Sequence, residues 1–378
     1  MTGNAARAKI GELAIAAGGH ALAVRLKDIA QDLGVSVMTV SKALRNHSDI
    51  SEATRRRVLQ RARQLGYQPN WIARSLVSRR TYMVGLVIPD LMHSFFAEVA
   101  KGAAARLEPA GYHILILNSE EDPRTEERQI AALLARNVDG LMIATTQRNG
   151  AAPLFRTLKA HKARYVLIDR LPAGSEAHYV GCEDERIGEL ATEHLIEQGC
   201  RRIAHLRGPD IPTGLGRYRG YRRALARHRL PASPRYVVRA QHNDAAGYEA
   251  MQRLLRLATP PDGVFCYNDP VAAGAIRAIL EAGLRVPDDI AVIGCGNVHY
   301  SDLLRVPLST VDQNSFLIGQ RAAELLLEIM ASKRVLKPRQ IIIPPRLVVR
   351  QSSLRVTASP ARPDPRVAAA AGSSPRVV

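Results

Sequence analysis

The chain is poor in aromatic residues, at 4% Phe, Trp and Tyr with a single Trp, and it holds only four cysteines in 378 residues. Cys182, Cys200, Cys266 and Cys295 are widely scattered, with no CxxC pair and no His beside them at zinc-ligand spacing. That excludes a disulfide scaffold and a structural zinc site, and it reads as reduced thiols in or near the core of a cytosolic protein. No run approaches the roughly 18 apolar residues of a membrane span, so no membrane partner is expected. Residues 13–24, LAIAAGGHALAV, follow Arg7 and Lys9 like a weak export signal, but His20 and two glycines interrupt them. Glycine-rich phosphate loops of the common patterns are missing, as are a Ser-His-Asp arrangement and paired metal ligands. These absences leave no cofactor, no metal and no enzyme chemistry to name.

Acidic residues are also scarce, 35 Asp or Glu against 53 Lys or Arg, for a net charge of +18. The imbalance is uneven. Residues 1–80 hold 14 Lys or Arg and 5 Asp or Glu, an excess of 9, so half the net charge lies in about a fifth of the chain. Such an excess favours phosphate-bearing partners or the surface of a membrane.

Three short amphipathic stretches occupy that basic region. LKDIAQDLG spaces Leu26, Ile29, Ala30 and Leu33 three or four apart and closes on Gly34. VSVMTVSKAL begins with the capping candidate Ser36, turns Val40, Ala43 and Leu44 inward, and leaves Val37, Met38, Ser41 and Lys42 outward. Two helices this short, three or four residues apart, predict a helix-turn-helix. A third helix follows Ser51, with Val58, Leu59, Ala62 and Leu65 expected to face the other two and Arg55, Arg56, Arg57, Arg61 and Arg63 around it. Double-stranded DNA is the partner this pattern suits. Ser36, Thr39 and Ser41 are short donors for phosphate oxygens. Lys42 has the reach for guanine O6 or N7, and Val37 and Met38 offer apolar contact, as to a thymine methyl. Residues 68–80 then read as a hinge helix too short to stand alone, with Leu76 as a candidate minor-groove wedge beside Arg74.

From Tyr82 the pattern changes to short apolar runs alternating with amphipathic ones, the βαβ signature of parallel sheets covered by helices. It restarts near residue 182, so two similar units are expected in series. Strands 308–312 and 341–349 and helix 315–331 are left to cross back and complete either lobe. Polar residues recur at strand ends, Asp90, Asn118, Asp169 with Arg170, and Asn268 with Asp269, where open parallel sheets bind ligands.

The stretches LKDIAQDLGVSVMTVSKALRN, ISEATRRRVLQRARQLGYQPNWIARSL, VGLVIPDLMHSFFAEVAKG, YRGYRRAL, VPDDIAVIG and VPLSTVDQN resemble the LacI/GalR family of bacterial transcriptional regulators, over residues 25–353. The resemblance implies an α/β fold: a three-helix head at 25–67, a hinge at 68–80, and a two-lobed sensor like the periplasmic sugar-binding proteins. Lobe 1 is expected at about 81–181 and 313–340, and lobe 2 at about 182–312 and 341–353. Residues 1–24 would be an extension and 354–378 a disordered tail. It further implies a cytoplasmic homodimer reading a palindromic operator through Ser36, Val37, Met38, Thr39, Ser41, Lys42, Asn46, Arg74 and Leu76. Its small-molecule effector, a sugar, sugar acid or phosphate, would sit against Phe96, Asp169, Arg217, His242 and Asn268. Repression of carbohydrate-related genes is the implied output, with activation or co-repression as the alternative; a solute-binding protein would have no use for the head. One departure stands out. The family commonly carries Asp where this chain has Gly296, which removes a double acceptor for sugar hydroxyls, favours an acidic effector, and leaves Asn297 or His299 to compensate.

Overall fold

The structure is a computed structural model that describes residues 24–68, 75, 80–150 and 152–355. It divides at Thr81 into two compact units. The hinge residues Arg74 and Leu76, residues 1–23 and residues 356–378 lie outside the described residues.

The first unit contains α1 (Leu26–Leu33), α2 (Val37–Leu44) and α3 (Glu52–Gln64). Gly34 ends α1 in the left-handed region at φ +64, where its backbone N–H returns to the carbonyls of Ala30 and Gln31. Ser36 and Ser51 cap α2 and α3 by accepting the N–H groups of Thr39 and Thr54. Ile29, Ala30, Val40, Ala43, Val58 and Ala62 form the shared core. Leu59 does not join it and is 36% exposed. The inward stripe of α3 runs through 58, 62 and 65, and the next residue along the chain from Val58 lies about 100° round the helix.

The second unit has two lobes, each built on a six-stranded sheet. Lobe 1 contains β1 (Met83–Ile88), α4 (Ser94–Leu107), β2 (His113–Asn118), α5 (Pro123–Ala135), β3 (Gly140–Ile143), α6 (Pro153–Ala160), β4 (Tyr165–Ile168) and β5 (Tyr179–Cys182). Lobe 2 contains α7 (Asp184–Glu197), β6 (Ile203–Arg207), α8 (Pro212–Arg227), β7 (Val237–Arg239), α9 (Asp244–Leu255), β8 (Gly263–Cys266), α10 (Asp269–Glu281), β9 (Ala291–Cys295) and β10 (Ser309–Asp312). The chain then returns through α11 (Ser315–Ala331) to β11 (Gln340–Ile343) in lobe 1, and crosses a last time to β12 (Arg346–Val348) in lobe 2. The strand orders are β11-β5-β4-β3-β1-β2 and β12-β10-β9-β8-β6-β7. All pairings are parallel except β10 with β12.

Residues 341–349, expected as one strand of lobe 2, are therefore two strands in different lobes. Pro344 and Pro345 break the run, and β11 pairs beside β5 instead. Helix α8 begins at Pro212, with Pro at its first helical position, where the missing N–H costs nothing. Helix α11 buries Ile318, Ala322, Ala323, Leu325, Leu326 and Met330 against α4 and the lobe 1 sheet. Each of its fully buried Leu and Ile side chains contributes about 1.5–3 kcal/mol. All four cysteines are buried and unpaired, and burial pushes the Cys182 and Cys200 thiols up to about 12.

Candidate DNA-reading helix and interlobe cleft

On α2, Val40 and Ala43 face the core, while Val37 is 46% and Met38 60% exposed. A short helix thus presents two apolar side chains to solvent from its first turn, where the N-terminal residues of a groove-reading helix meet base edges. Ser36 and Thr39 do not stand free: their hydroxyls lie 2.9 Å apart and the Ser36 oxygen accepts the Thr39 N–H at 3.0 Å. Ser41 and Lys42 are half-buried, and the Lys42 ammonium lies 2.5 Å from Asp49. That hydrogen bond is the leading reason the Asp49 carboxyl titrates below its ordinary range. Asn46 is exposed just beyond α2 with φ +57. The arginines of α3 serve the head itself more than the sequence suggests. Arg61 binds Asp32 at 2.6 and 2.8 Å, and Arg55 donates to the carbonyls of His47 and Ile50.

The carboxyl ends of the strands of both lobes converge on a cleft lined by Asp90, His93, Phe95, Phe96, Glu121, Asp169, Arg170, Arg217, His242, Tyr267, Asn268 and Gln313. All five residues expected at the effector site, Phe96, Asp169, Arg217, His242 and Asn268, are among them. Parallel strands make this convergence inevitable, because each sheet delivers its strand-end loops to one edge. Asn268 caps α10 by accepting the Val271 N–H at 3.0 Å, and its amide donates to the His242 carbonyl at 2.9 Å. The same amide meets His93 Nε2 at 3.1 Å, so the caps of α4 and α10 touch across the cleft. Burial holds His93 down at about 4, hence neutral near pH 7.

Both cleft arginines are buried and already engaged. Arg170 grips Glu121 through two bonds of 2.6 and 2.7 Å. Burial alone would raise the Glu121 carboxyl, but this pair outweighs it and holds it below the ordinary range. Arg217 spends all three nitrogens, on Asp184 at 3.1 Å, the Tyr267 carbonyl at 2.7 Å and Gln313 at 2.8 Å, and lies 4.8 Å from the Tyr267 ring centre. Asp184 is nevertheless pushed up to about 6, burial prevailing over the Arg217 charge. Asp169 sits at φ +61 in the turn leaving β4, and burial raises its carboxyl as well. Arg170 Nε is buried without a hydrogen-bond partner, 3.5 Å from Asp169. The free space within it is about 30 Å³, room for one or two waters, so a larger ligand enters only by parting the lobes or displacing these side chains.

The compensating residues expected near Gly296 are not in the cleft. Neither Asn297 nor His299 lines it, and the Asn297 amide is held by Asp312 at 3.3 Å and Arg350 at 2.8 Å. Gly296 itself has φ +135, a backbone that Asp adopts only under strain. Asp269, another strand-end candidate, is buried within lobe 2 and bound by Ser301, Thr310 and the Val298 N–H. Sequence reasoning passed over His93, Glu121 and Gln313, although the last stands in the quoted VDQN.

Among the described residues, no cluster of potential metal ligands occurs and no helix is long and apolar enough to cross a membrane. Residues 25–70 match the model of "Bacterial regulatory proteins, lacI family" and residues 192–353 that of "Periplasmic binding protein-like domain". The chain is 32% identical over 333 residues to the HTH-type transcriptional repressor PurR of Mannheimia succiniciproducens, covering 88% of this chain and 99% of that one. It is 31% identical to a ribose operon repressor of Halalkalibacterium halodurans, over 87% and 96% of the two chains. In structure it is similar to a lac repressor dimer bound to operator and the anti-inducer ONPF, with TM-score 0.78, 26% identity, and 88% and 100% coverage. It is likewise similar to a CelR–cellobiose complex, with TM-score 0.67, 29% identity, and 87% and 99% coverage.

Proposed function

Because the chain belongs to the lacI family of bacterial regulatory proteins, we propose that its cleft takes a neutral, hydroxyl-rich effector and that this effector governs the grip of paired heads on a palindromic operator. The protein is a sequence-specific DNA-binding transcriptional regulator of LacI/GalR type and not an enzyme. The observation that carries the DNA reading is the outward exposure of Val37 and Met38 from a capped helix whose other face is core. In the operator complex Val37, Met38 and Lys42 read bases, Ser36, Thr39, Ser41 and Asn46 settle on the backbone, and Leu76 with Arg74 enters the minor groove from the hinge. Lys42 must leave Asp49 to do so.

Repression of carbohydrate-related genes is the output we favour, in the cytoplasm and as a homodimer. The ribose operon repressor and the cellobiose-bound regulator among its relatives agree with a sugar effector. The charges of the cleft reverse the earlier preference for an acid. With His93 held neutral by burial, the lining has three carboxyl groups, Asp90, Glu121 and Asp169, against two guanidiniums that are already engaged. An incoming anion would find both guanidiniums taken and would have to displace Glu121 or Gln313. Polyol hydroxyls can instead accept from Arg170 Nε and donate to the carboxyl groups, while the C–H face of a sugar packs on Phe96.

Two experiments test this reading. Selection of bound duplexes from a random pool should return a palindrome; Met38→Ala should relax its sequence preference without altering salt dependence, and Lys42→Ala should likewise relax the preference at the position it reads. A pool with no enriched sequence would overturn the DNA reading. Calorimetric titration should show neutral sugars binding and their acid counterparts failing to bind; the opposite order would overturn the effector class.

A further inference from the structure

The other end of the lobe 1 sheet carries a feature that the head and the cleft leave unused. Because β1, β3, β4, β5 and β11 run parallel, their first residues share one edge, the edge at which the chain enters at Tyr82. Helix α6 ends there ahead of β4, and α11 ends there ahead of β11. Between these two helix ends lies a groove of about 860 Å³ whose lining includes Arg156, Lys159, Lys162, Arg164, Lys333 and Arg334 against a single acid, Glu176. All six cations are exposed. Among the described residues, no ion pair is formed by Lys159, Lys162, Arg164, Lys333 or Arg334, while nearby Glu328 is bound to Arg339.

Helix ends alone do not account for this charge. Each helix C-terminus carries roughly half a negative charge, so two helices and Glu176 together answer about two of those five cations. An excess of about three remains, on a surface with Phe155, Tyr165 and Val335 between the charges. Like charges held together without partners repel one another and destabilise the fold slightly unless a polyanion neutralises them.

We propose that this groove is an accessory docking site for duplex DNA, binding the phosphate backbone that flanks the operator. The proposal rests on the DNA-binding reading of the head. Residues 68–81, even fully extended, reach at most about 50 Å, so a head seated on its operator keeps the entry edge of lobe 1 at high effective concentration near the adjoining helical turns. Contacts of this kind carry no sequence information; they add affinity that disappears as salt rises.

The test uses the full chain and the operator recovered by selection, as a trimmed core duplex and as the same core extended by about 20 base pairs on each side. Lys159→Gln/Lys162→Gln/Arg164→Gln and, separately, Lys333→Gln/Arg334→Gln are compared with the wild type, their thermal melts serving as the check on folding. On the extended duplex, where the dimer engages both flanks, the slope of log affinity against log salt should become shallower by about five for the triple variant and about three to four for the double. On the core duplex both variants should keep the wild-type slope. Wild-type slopes on both duplexes would overturn the proposal. So would equal losses on both, since the cations would then act through the field of the whole molecule. Failure of the wild type to select any sequence would instead count against the head, which separates the two readings.

Discussion

His205 lies fully buried in lobe 2, stacked on Phe265 with ring centres 4.6 Å apart and donating from Nδ1 to the Phe265 carbonyl, 3.0 Å away. A carbonyl can only accept, so Nδ1 bears the proton and Nε2 is left with no partner. Burial lowers its pKa from 6.5 to about 3. The unfolded chain therefore binds a proton below about pH 6.5 that the folded chain refuses until about pH 3, and stability falls as pH drops through that window. Asp184, raised to about 6, opposes this trend between pH 6 and 3.8, so the informative quantity is a difference between variants. His205→Phe should flatten the loss of stability between pH 6.5 and 4 relative to the wild type, as read by urea denaturation at each pH; parallel curves would contradict the assignment. At this scale the sequence disclosed the types of the cleft residues but not their alliances. Phe96, Arg217 and Asn268 stand in legible patterns. That Arg217 is spent on Asp184, Gln313 and a carbonyl depends on three separate stretches of chain meeting, which no local spacing records.

The elements were largely legible because their signals are local: Ser36 and Ser51 before α2 and α3, Gly34 after α1, and alternating apolar runs for the strands. Two failures have definite causes. Leu59 is apolar but off the inward stripe of α3, and the run 341–349 conceals a change of lobe that only pairing with β5 and β10 decides. A further feature emerges only from packing. Gly102 of α4 and Gly319 of α11 face each other so closely that a methyl group on either would lie 2.0 Å from a backbone oxygen, of Phe316 or Val99. The two helices cross in backbone contact, which anchors the returning chain on lobe 1. Gly319→Ala should therefore destabilise the sensor by about 1–3 kcal/mol despite the better helix propensity of Ala, measured by denaturant unfolding. An unchanged or raised midpoint would show that the helices separate without penalty.

For the whole molecule, three crossings of the chain between the lobes, near residues 183, 313 and 344, let them move against each other while each keeps its own sheet and core. His93 and Asn268 hydrogen-bond across the gap, and the free space between them is too small for a sugar, so a sugar binds only as the lobes part or these side chains give way. A ligand shifts the spacing of the lobes only through its differential affinity for the two arrangements, and linkage requires operator and ligand to alter each other's affinity by the same factor. The central claim is this coupling. It is tested most directly by titrating labelled selected operator with the full chain, with and without a saturating polyol that calorimetry has shown to bind. The account predicts a shift in operator affinity of about 5- to 150-fold, matched by an equal shift in polyol affinity when operator is present. A polyol that occupies the cleft and leaves operator affinity unchanged would contradict it.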